Sequence, residues 1–345
     1  MTHSSRKVLR FDQWIDRSFD RILGAAPGVA LEVAPIADGV ASNRARLASA
    51  TIYQISSVRD EVPPALQVTA ELLGHCPQLL CVSTTGAGYD TVDVQACSRA
   101  GVLVVNQAGA NANSVAEHAL CLILAVSRRI GECAWRMRHD TGYAREDLMG
   151  HELLGKTLGI VGLGNIGGRA AGMAAAFGMR VLAYDPYLDA DVISARGAEK
   201  ATWAQLLAAS DVISVHCPLT AETRNMFDAA AYGAMKPGAL FVSTARGGIH
   251  DEDALHAALV AGHLAGAGLD VWAVEPPEHA HPLLALHNVI PTYHIAGVTH
   301  EARRNVATMA AEQIVSMLAG QRPPRMINPQ VWPRVLERLN SPEPR

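Results

Sequence analysis

Short apolar runs rich in β-branched residues alternate with helix-patterned segments along almost the whole chain. That alternation restricts the fold to the α/β class with a parallel sheet. The runs fall into two series. Before residue 110 the candidate strands are KVLRF (7 to 11), ATIYQIS (50 to 56), LLCVSTT (79 to 85) and VLVVN (102 to 106). After residue 150 come TLGIVG (157 to 162), RVLAYD (180 to 185), DVISVH (211 to 216), ALFVST (239 to 244), GAGLDV (266 to 271) and NVIPTY (288 to 293). The second series, with helix-like segments between most neighbours, describes a doubly wound sheet whose ligands sit at the carboxyl ends of the strands. A chain of 345 residues has room for roughly two domains of ordinary size.

Between the series, EHALCLILAVSRRIGECAWRM (117 to 137) is apolar on too many sides for a surface helix and predicts one long, largely buried helix. The polar stretch after it reads as an arm outside either sheet. A last helix is expected over EARRNVATMAAEQIVSMLAG (301 to 320), stopped by Gly320 and followed by proline-stiffened chain that could return to the first domain.

Charged residues make up 18% of the chain and the formal net charge is -4, a balance that disfavours nucleic acid and anionic membranes as partners. No apolar stretch approaches a membrane span, and the start, MTHSSRKVLRFDQW, lacks the apolar core of an export signal, so a cytoplasmic location is expected. The six cysteines, Cys76, Cys81, Cys97, Cys121, Cys133 and Cys217, show no paired spacing and read as reduced, mostly buried thiols. His279 and His281 form an H-x-H, but with no third ligand evident no metal site is expected.

The stretch GIVGLGNIGG (159 to 168) carries Gly162, Gly164 and Gly167 directly after a strand and at the start of a helical run. A G-x-G-x-x-G alone is weak, since a glycine-rich turn can serve packing only; its place between strand and helix makes it a pyrophosphate cradle. Asp185 ends the next strand, 18 residues past Gly167, where a carboxylate can accept from the ribose hydroxyls of an adenosine. That carboxylate would repel a 2′-phosphate, and no arginine follows it in YDPYLDAD, so NAD is favoured over NADP. Arg246, Asp270, Glu275 and His294 lie at or beyond later strand ends. An arginine can clamp a carboxylate, and a histidine oriented by an acid can protonate an alkoxide. Together they are the parts needed to reduce a 2-oxo acid.

The motifs TTGAGYDTVD, NANSVAEHAL, LLGKTLGIVGLGNIG, LAYDP, HCPLTAETRNMF, STARGGIHDEDAL, GLDVWAVEPP and HIAG follow one another across nearly the whole chain. In this order they resemble the D-isomer-specific 2-hydroxyacid dehydrogenases, a family that includes D-3-phosphoglycerate, glycerate and D-lactate dehydrogenases. The resemblance implies a doubly wound, parallel-sheet Rossmann cofactor domain (106 to 298) inserted into a flavodoxin-like substrate domain (1 to 105 and 299 to 345). It also implies a homodimer formed through the cofactor domain, lobes that close on ligand, and a small 2-oxo or 2-hydroxy acid as substrate.

Residue by residue, the resemblance makes Arg246 the substrate-binding cation, His294 the acid/base and Glu275 its paired acid. It assigns the nicotinamide carboxamide to Asp270, the pyrophosphate turn to Asn165 and Ile166, and the adenosine side to His216, Cys217 and Thr223. Thr244 and Ala245 would meet the nicotinamide riboside, and Val115 would open the helix beside the nicotinamide. Ala87 and Gly88 would offer backbone N–H groups to the substrate carboxylate.

Three positions depart from the usual family pattern: Ser243, Tyr293 and His250. Tyr293 and His250 put substrate identity in question, and His250 is expected to face solvent. Other readings share the fold: an NAD-sensing corepressor like the C-terminal-binding proteins, and formate or phosphite dehydrogenases. Glu275 stands where the formate enzymes carry glutamine, and Ala87 where the phosphite enzymes carry lysine.

Overall fold

A computed structural model describes residues 5–341 of the chain. It divides into two compact units, Met1–Asn111 with Thr299–Arg345, and Ala112–Val298. The chain crosses out of the first unit at 111/112, not at the expected 105/106. The intervening residues are tied to the first unit: Gln107 N donates to Gly86 O (2.8 Å), Gln313 Nε2 to Asn106 O (3.2 Å) and Arg325 Nε to Ala108 O (3.0 Å).

The first unit is built on β1 (Arg6–Phe11), β2 (Val29–Ala34), β3 (Ile52–Ile55), β4 (Cys81–Thr84) and β5 (Leu103–Val105). They are parallel, in the order β2-β1-β3-β4-β5, which is the flavodoxin-like order. The central strands β3 and β4 are buried at every residue, the polar Gln54, Ser83 and Thr84 included. The edge strand β2, unexpected from sequence, is half exposed, and its Glu32 pairs with Lys7 at 2.5 Å. One face packs Leu9, Tyr53, Ile55, Leu66 and Leu72 together. The other is covered by the helices His300–Leu318 and Trp332–Asn340, through Ala307, Ile314, Trp332 and Val335. The first of these helices matches the expected run and starts where Thr299 Oγ1 accepts from Ala302 N (3.1 Å). The second was not anticipated.

The second unit holds β6 (Thr157–Val161), β7 (Arg180–Tyr184), β8 (Glu199–Lys200), β9 (Val212–Val215), β10 (Ala239–Ser243), β11 (Leu264–Leu269) and β12 (Val289–Pro291). All are parallel, in the order β12-β11-β10-β9-β6-β7-β8. Chain order reverses between β6 and β9, the switch point of a doubly wound Rossmann sheet. The expected long helix is two helices, Ala112–Ser127 and Ile130–His139. Arg129 breaks it by adopting φ +52°, a left-handed turn fixed by guanidinium bonds to Glu132 (2.9 Å) and Asp147 O (2.7 Å). The first helix packs Leu122, Ile123 and Val126 into the core, whereas Ile130, Trp135 and Met137 of the second are exposed.

Candidate functional site

The turn after β6 is shaped by what its glycines exclude. Gly162 sits at φ +90°, and a Cβ there would stand 2.8 Å from Cys217 N. At Gly167 a Cβ would meet Gly162 O at 2.2 Å, so the helix can approach the turn only without one. Gly164 faces open space, with nothing within 4 Å of its absent side chain. The helix Asn165–Ala176 begins at that opening, where amides of the first turn have no helical acceptor and the helix dipole favours an anion. A phosphate-bearing dinucleotide fits such a cradle.

Asp185, just past β7, folds back onto the turn: its Oδ2 accepts from Leu163 N (3.0 Å) and its Oδ1 from Tyr187 N (3.1 Å). The structure adds an arginine that no local motif announced. Arg196 Nη1 donates to Leu163 O from the end of the following helix.

Beyond β9, His216 Nε2 lies 2.9 Å from Ser214 Oγ, while its buried Nδ1 has no partner among the described residues. Burial pulls its pKa down to about 4, so the ring is neutral at pH 7. Burial pushes the Cys217 thiol up to about 11. Thr223 Oγ1 donates to Pro218 O (2.7 Å) and accepts from Thr220 N (2.8 Å), closing the loop that follows. Thr244 and Ala245, after β10, are buried, and Thr244 Oγ1 has no partner among the described residues. Val115 is buried in the helix Ala112–Ser127, and its neighbour Ser114 Oγ donates to Ala296 O (2.6 Å).

The titratable residues converge on the segment after β12. Asp270, at the end of β11, is fully buried. Its Oδ1 accepts from Thr292 Oγ1 (2.7 Å) and Ile295 N (2.8 Å), and its Oδ2 from Ala296 N (2.9 Å). Its backbone oxygen accepts from His294 N at 2.8 Å. Residues 292 to 296 are therefore wrapped around one carboxylate. This wrapping holds His294 at φ +46°, a left-handed conformation that costs a side-chain-bearing residue roughly 1–2 kcal/mol.

His294 Nδ1 lies 2.7 Å from Glu275 Oε2, and the other Glu275 oxygen accepts from Trp272 N (3.0 Å). Trp272 Nε1 in turn donates to Thr292 O at 3.0 Å. Burial would raise the Glu275 pKa. The His294 hydrogen bond and charge, the Trp272 amide and the Arg246 charge together outweigh it, leaving the acid below its ordinary value. An ionised Glu275 puts the proton on Nδ1 and leaves Nε2 for exchange with a ligand. Arg246 follows β10, its Nη1 donating to Ala245 O at 2.7 Å.

Sequence reasoning missed the supports: Thr292, Trp272 and His118, whose Nε2 lies 3.0 Å from Thr292 Oγ1. Asp270 is also more committed than expected, since both its oxygens already hold backbone. In the first unit, Ala87 and Gly88 lie on the loop after β4. Asn106 Nδ2 holds Ala87 O (2.7 Å) and Thr84 Oγ1 holds Gly88 O (2.9 Å), which fixes the loop by its carbonyls.

Two expectations need correction. His250 does not face solvent: it is 1% exposed, its ring 5.5 Å from that of Phe241, with neither nitrogen partnered among the described residues. Burial holds its pKa at about 4. The cysteines divide, with Cys76, Cys81 and Cys97 buried but Cys121 exposed. His281, of the H-x-H pair, faces a carboxylate, Glu252 Oε2 at 3.2 Å.

The sequence profile described as D-isomer specific 2-hydroxyacid dehydrogenase, NAD binding domain, matches residues 120–296. D-3-phosphoglycerate dehydrogenase from Mycobacterium leprae is 44% identical over 267 residues, covering 77% of this chain and 50% of that protein. The match thus spans about half the length of that relative. Glyoxylate reductase from Aeropyrum pernix is 39% identical over 273 residues, 77% of this chain and 81% of the relative. Among solved structures, D-lactate dehydrogenase from Aquifex aeolicus, complexed with NAD and lactic acid, superposes with a TM-score of 0.79 at 28% identity, over 93% of this chain and 99% of that one. The chain belongs to the D-isomer-specific 2-hydroxyacid dehydrogenase family, and its second unit is an NAD-binding Rossmann domain.

Proposed function

We propose that the protein is an NAD-dependent oxidoreductase that interconverts a small 2-oxo acid and the corresponding D-2-hydroxy acid, the first unit serving as substrate domain. The single observation that carries this reading is the 2.7 Å contact between His294 and an ionised Glu275, in the same unit as the glycine cradle and Arg246. NADH, when bound, supplies a hydride to the substrate's C2. In the reductive direction His294 Nε2 gives its proton to the carbonyl oxygen as that oxygen becomes an alcohol. Glu275 favours the protonated ring before transfer and keeps Nδ1–H oriented after it. Arg246 binds the substrate carboxylate and polarises the 2-oxo group. Asp270 holds the histidine segment in place, and Ala87 and Gly88 are assigned to the substrate carboxylate on the resemblance.

Asp185 and the turn amides support NAD as the cofactor. In the second unit, exposed Ile130, Trp135, Met137, Met149 and Leu154 support a homodimer, which light scattering tests. No described helix is long and apolar enough to cross a membrane, which accords with the cytoplasmic location we propose. The direct test is NADH oxidation against a panel of 2-oxo acids including glyoxylate, hydroxypyruvate and pyruvate. Turnover by the native protein, abolished in Arg246→Ala with NADH binding kept, is the expected result. No turnover with any of them, or full turnover by the variant, would overturn the assignment.

A further inference from the structure

The helix Ala112–Ser127 meets the segment that carries His294 along a single ridge. Ser114, His118, Leu122 and Val126 recur every fourth residue and so line one face of this helix. Gly266, Gly268 and Asp270 alternate along β11 and just past it, and so share one face of the sheet. The two rows keep step, because four helical residues rise about 6 Å and two strand residues about 6.6 Å. The glycines let them come close: a Cβ at Gly266 would stand 2.6 Å from Val126 Cγ1, and one at Gly268 2.8 Å from Leu122 Cβ. The ridge thus seats two apolar knobs in two notches and carries two polar side chains on beyond the end of β11.

Those two side chains reach opposite ends of the loop 292 to 296. His118 Nε2 lies 3.0 Å from Thr292 Oγ1 and 3.5 Å from Asp270 Oδ1, whereas Ser114 Oγ donates to Ala296 O at 2.6 Å. The Thr292 hydroxyl has one proton, and Asp270 Oδ1, at 2.7 Å, takes it, so His118 Nε2 is the donor in the 3.0 Å contact. Thr292 passes the link to Asp270, which accepts from the Ile295 and Ala296 amides. His294, at φ +46°, stands midway between the two clamps. A turn of this kind persists only where its surroundings over-determine it.

We propose that Ser114 and His118 are positioning residues for His294, the helix acting as a splint that holds both ends of the loop. Glu275 fixes the ring through Nδ1, and the splint fixes the backbone that carries the ring. This inference rests on His294 being the acid/base of the proposed reaction. It adds that the polar members of the ridge, rather than its apolar knobs, keep the imidazole in place.

The test compares His118→Leu, His118→Gln, Ser114→Ala and Leu122→Ala with the native protein. Each is followed by kcat and KM for the best 2-oxo acid, by urea unfolding, and by the long-range 1H–15N spectrum of the imidazole rings. The His294 signals in that spectrum are those lost in His294→Gln. His118→Leu and Ser114→Ala should lower kcat about tenfold or more while changing KM little, since the error is one of placement at a reacting group. In both, the His294 signals should shift or broaden. His118→Gln keeps an N–H donor within reach of Thr292 and should recover most of the native kcat and the native signals. Leu122→Ala removes a knob of the same ridge, so it should lower stability yet leave kcat and the His294 signals near native. The proposal is overturned if His118→Leu and Ser114→Ala keep native kcat and native signals, if His118→Gln is as impaired as His118→Leu, or if Leu122→Ala lowers kcat as much as His118→Leu does. The spectra need no turnover: a native protein inactive on every 2-oxo acid would remove the proposed function, whereas unshifted His294 signals in His118→Leu and Ser114→Ala would remove the splint.

Discussion

Replacing Asp270 by asparagine keeps the shape of the side chain but turns one acceptor oxygen into a donor. Asp270 collects three hydrogen bonds, from Thr292 Oγ1, Ile295 N and Ala296 N, in a fully buried position. With the asparagine oxygen kept toward Thr292 and Ile295, its NH2 group faces the Ala296 amide, donor against donor. One charge-assisted bond, worth roughly 1.5–3 kcal/mol, is lost, and a buried N–H is left without an acceptor at a further cost of about 1–3 kcal/mol. Allowing for relaxation, a loss of about 3 kcal/mol follows. The bonds that fail are those that hold His294 in its left-handed conformation, so the ring should drift. A misplacement of about 1 Å at a reacting group costs about 10²-fold in rate. Urea unfolding of the native and Asp270→Asn proteins gives the stability, NADH oxidation with the best 2-oxo acid gives kcat, and NADH fluorescence gives cofactor affinity. Stability and kcat should both fall by these amounts, with NADH affinity changed less than about tenfold. A variant with native stability and native turnover would show that the carboxylate does not hold the histidine segment.

Two other substitutions probe the frame. Gly167→Ala places a methyl 2.2 Å from Gly162 O, so the turn must open; fluorescence titration should show NADH binding lost while circular dichroism still shows a folded α/β protein. His250 is neutral when folded, with a pKa of about 4 against an ordinary value of 6.5. The unfolded chain therefore binds the extra proton, and stability falls as pH drops from about 6.5 toward 4, by about 3 kcal/mol across that window. His250→Leu should remove this part of the acid sensitivity, read as a shallower loss of unfolding free energy over the same range; an unchanged slope would show that the histidine is not what sensitises the core.

The parts of this architecture that were legible in sequence are those where one physical rule acts alone. β6, β9 and β10 are buried almost throughout and spell mostly apolar runs. The glycines of the cradle declare themselves because no other residue fits. β2 was missed because an edge strand carrying Glu32 has no such signature, and β8 because it has two residues. The break at Arg129 needs a non-glycine residue to turn left-handed, which only its tertiary partners enforce. His250 was misjudged because buried nitrogens are normally paired, and these have no partner among the described residues. Of the proposed site, Arg246, Glu275 and His294 are picked out by residue type and strand ends, and the structure brings Glu275 and His294 together. What fixes them is not picked out, because Asp270 and Glu275 are held largely by backbone amides, and no side-chain pattern reports those.

Single-turnover consumption of NADH with glyoxylate by His294→Gln protein, beside the native protein, tests the central claim most directly. A histidine that carries the proton predicts a rate lower by about 10²–10⁴-fold with NADH affinity unchanged. Equal rates in the two proteins would contradict it.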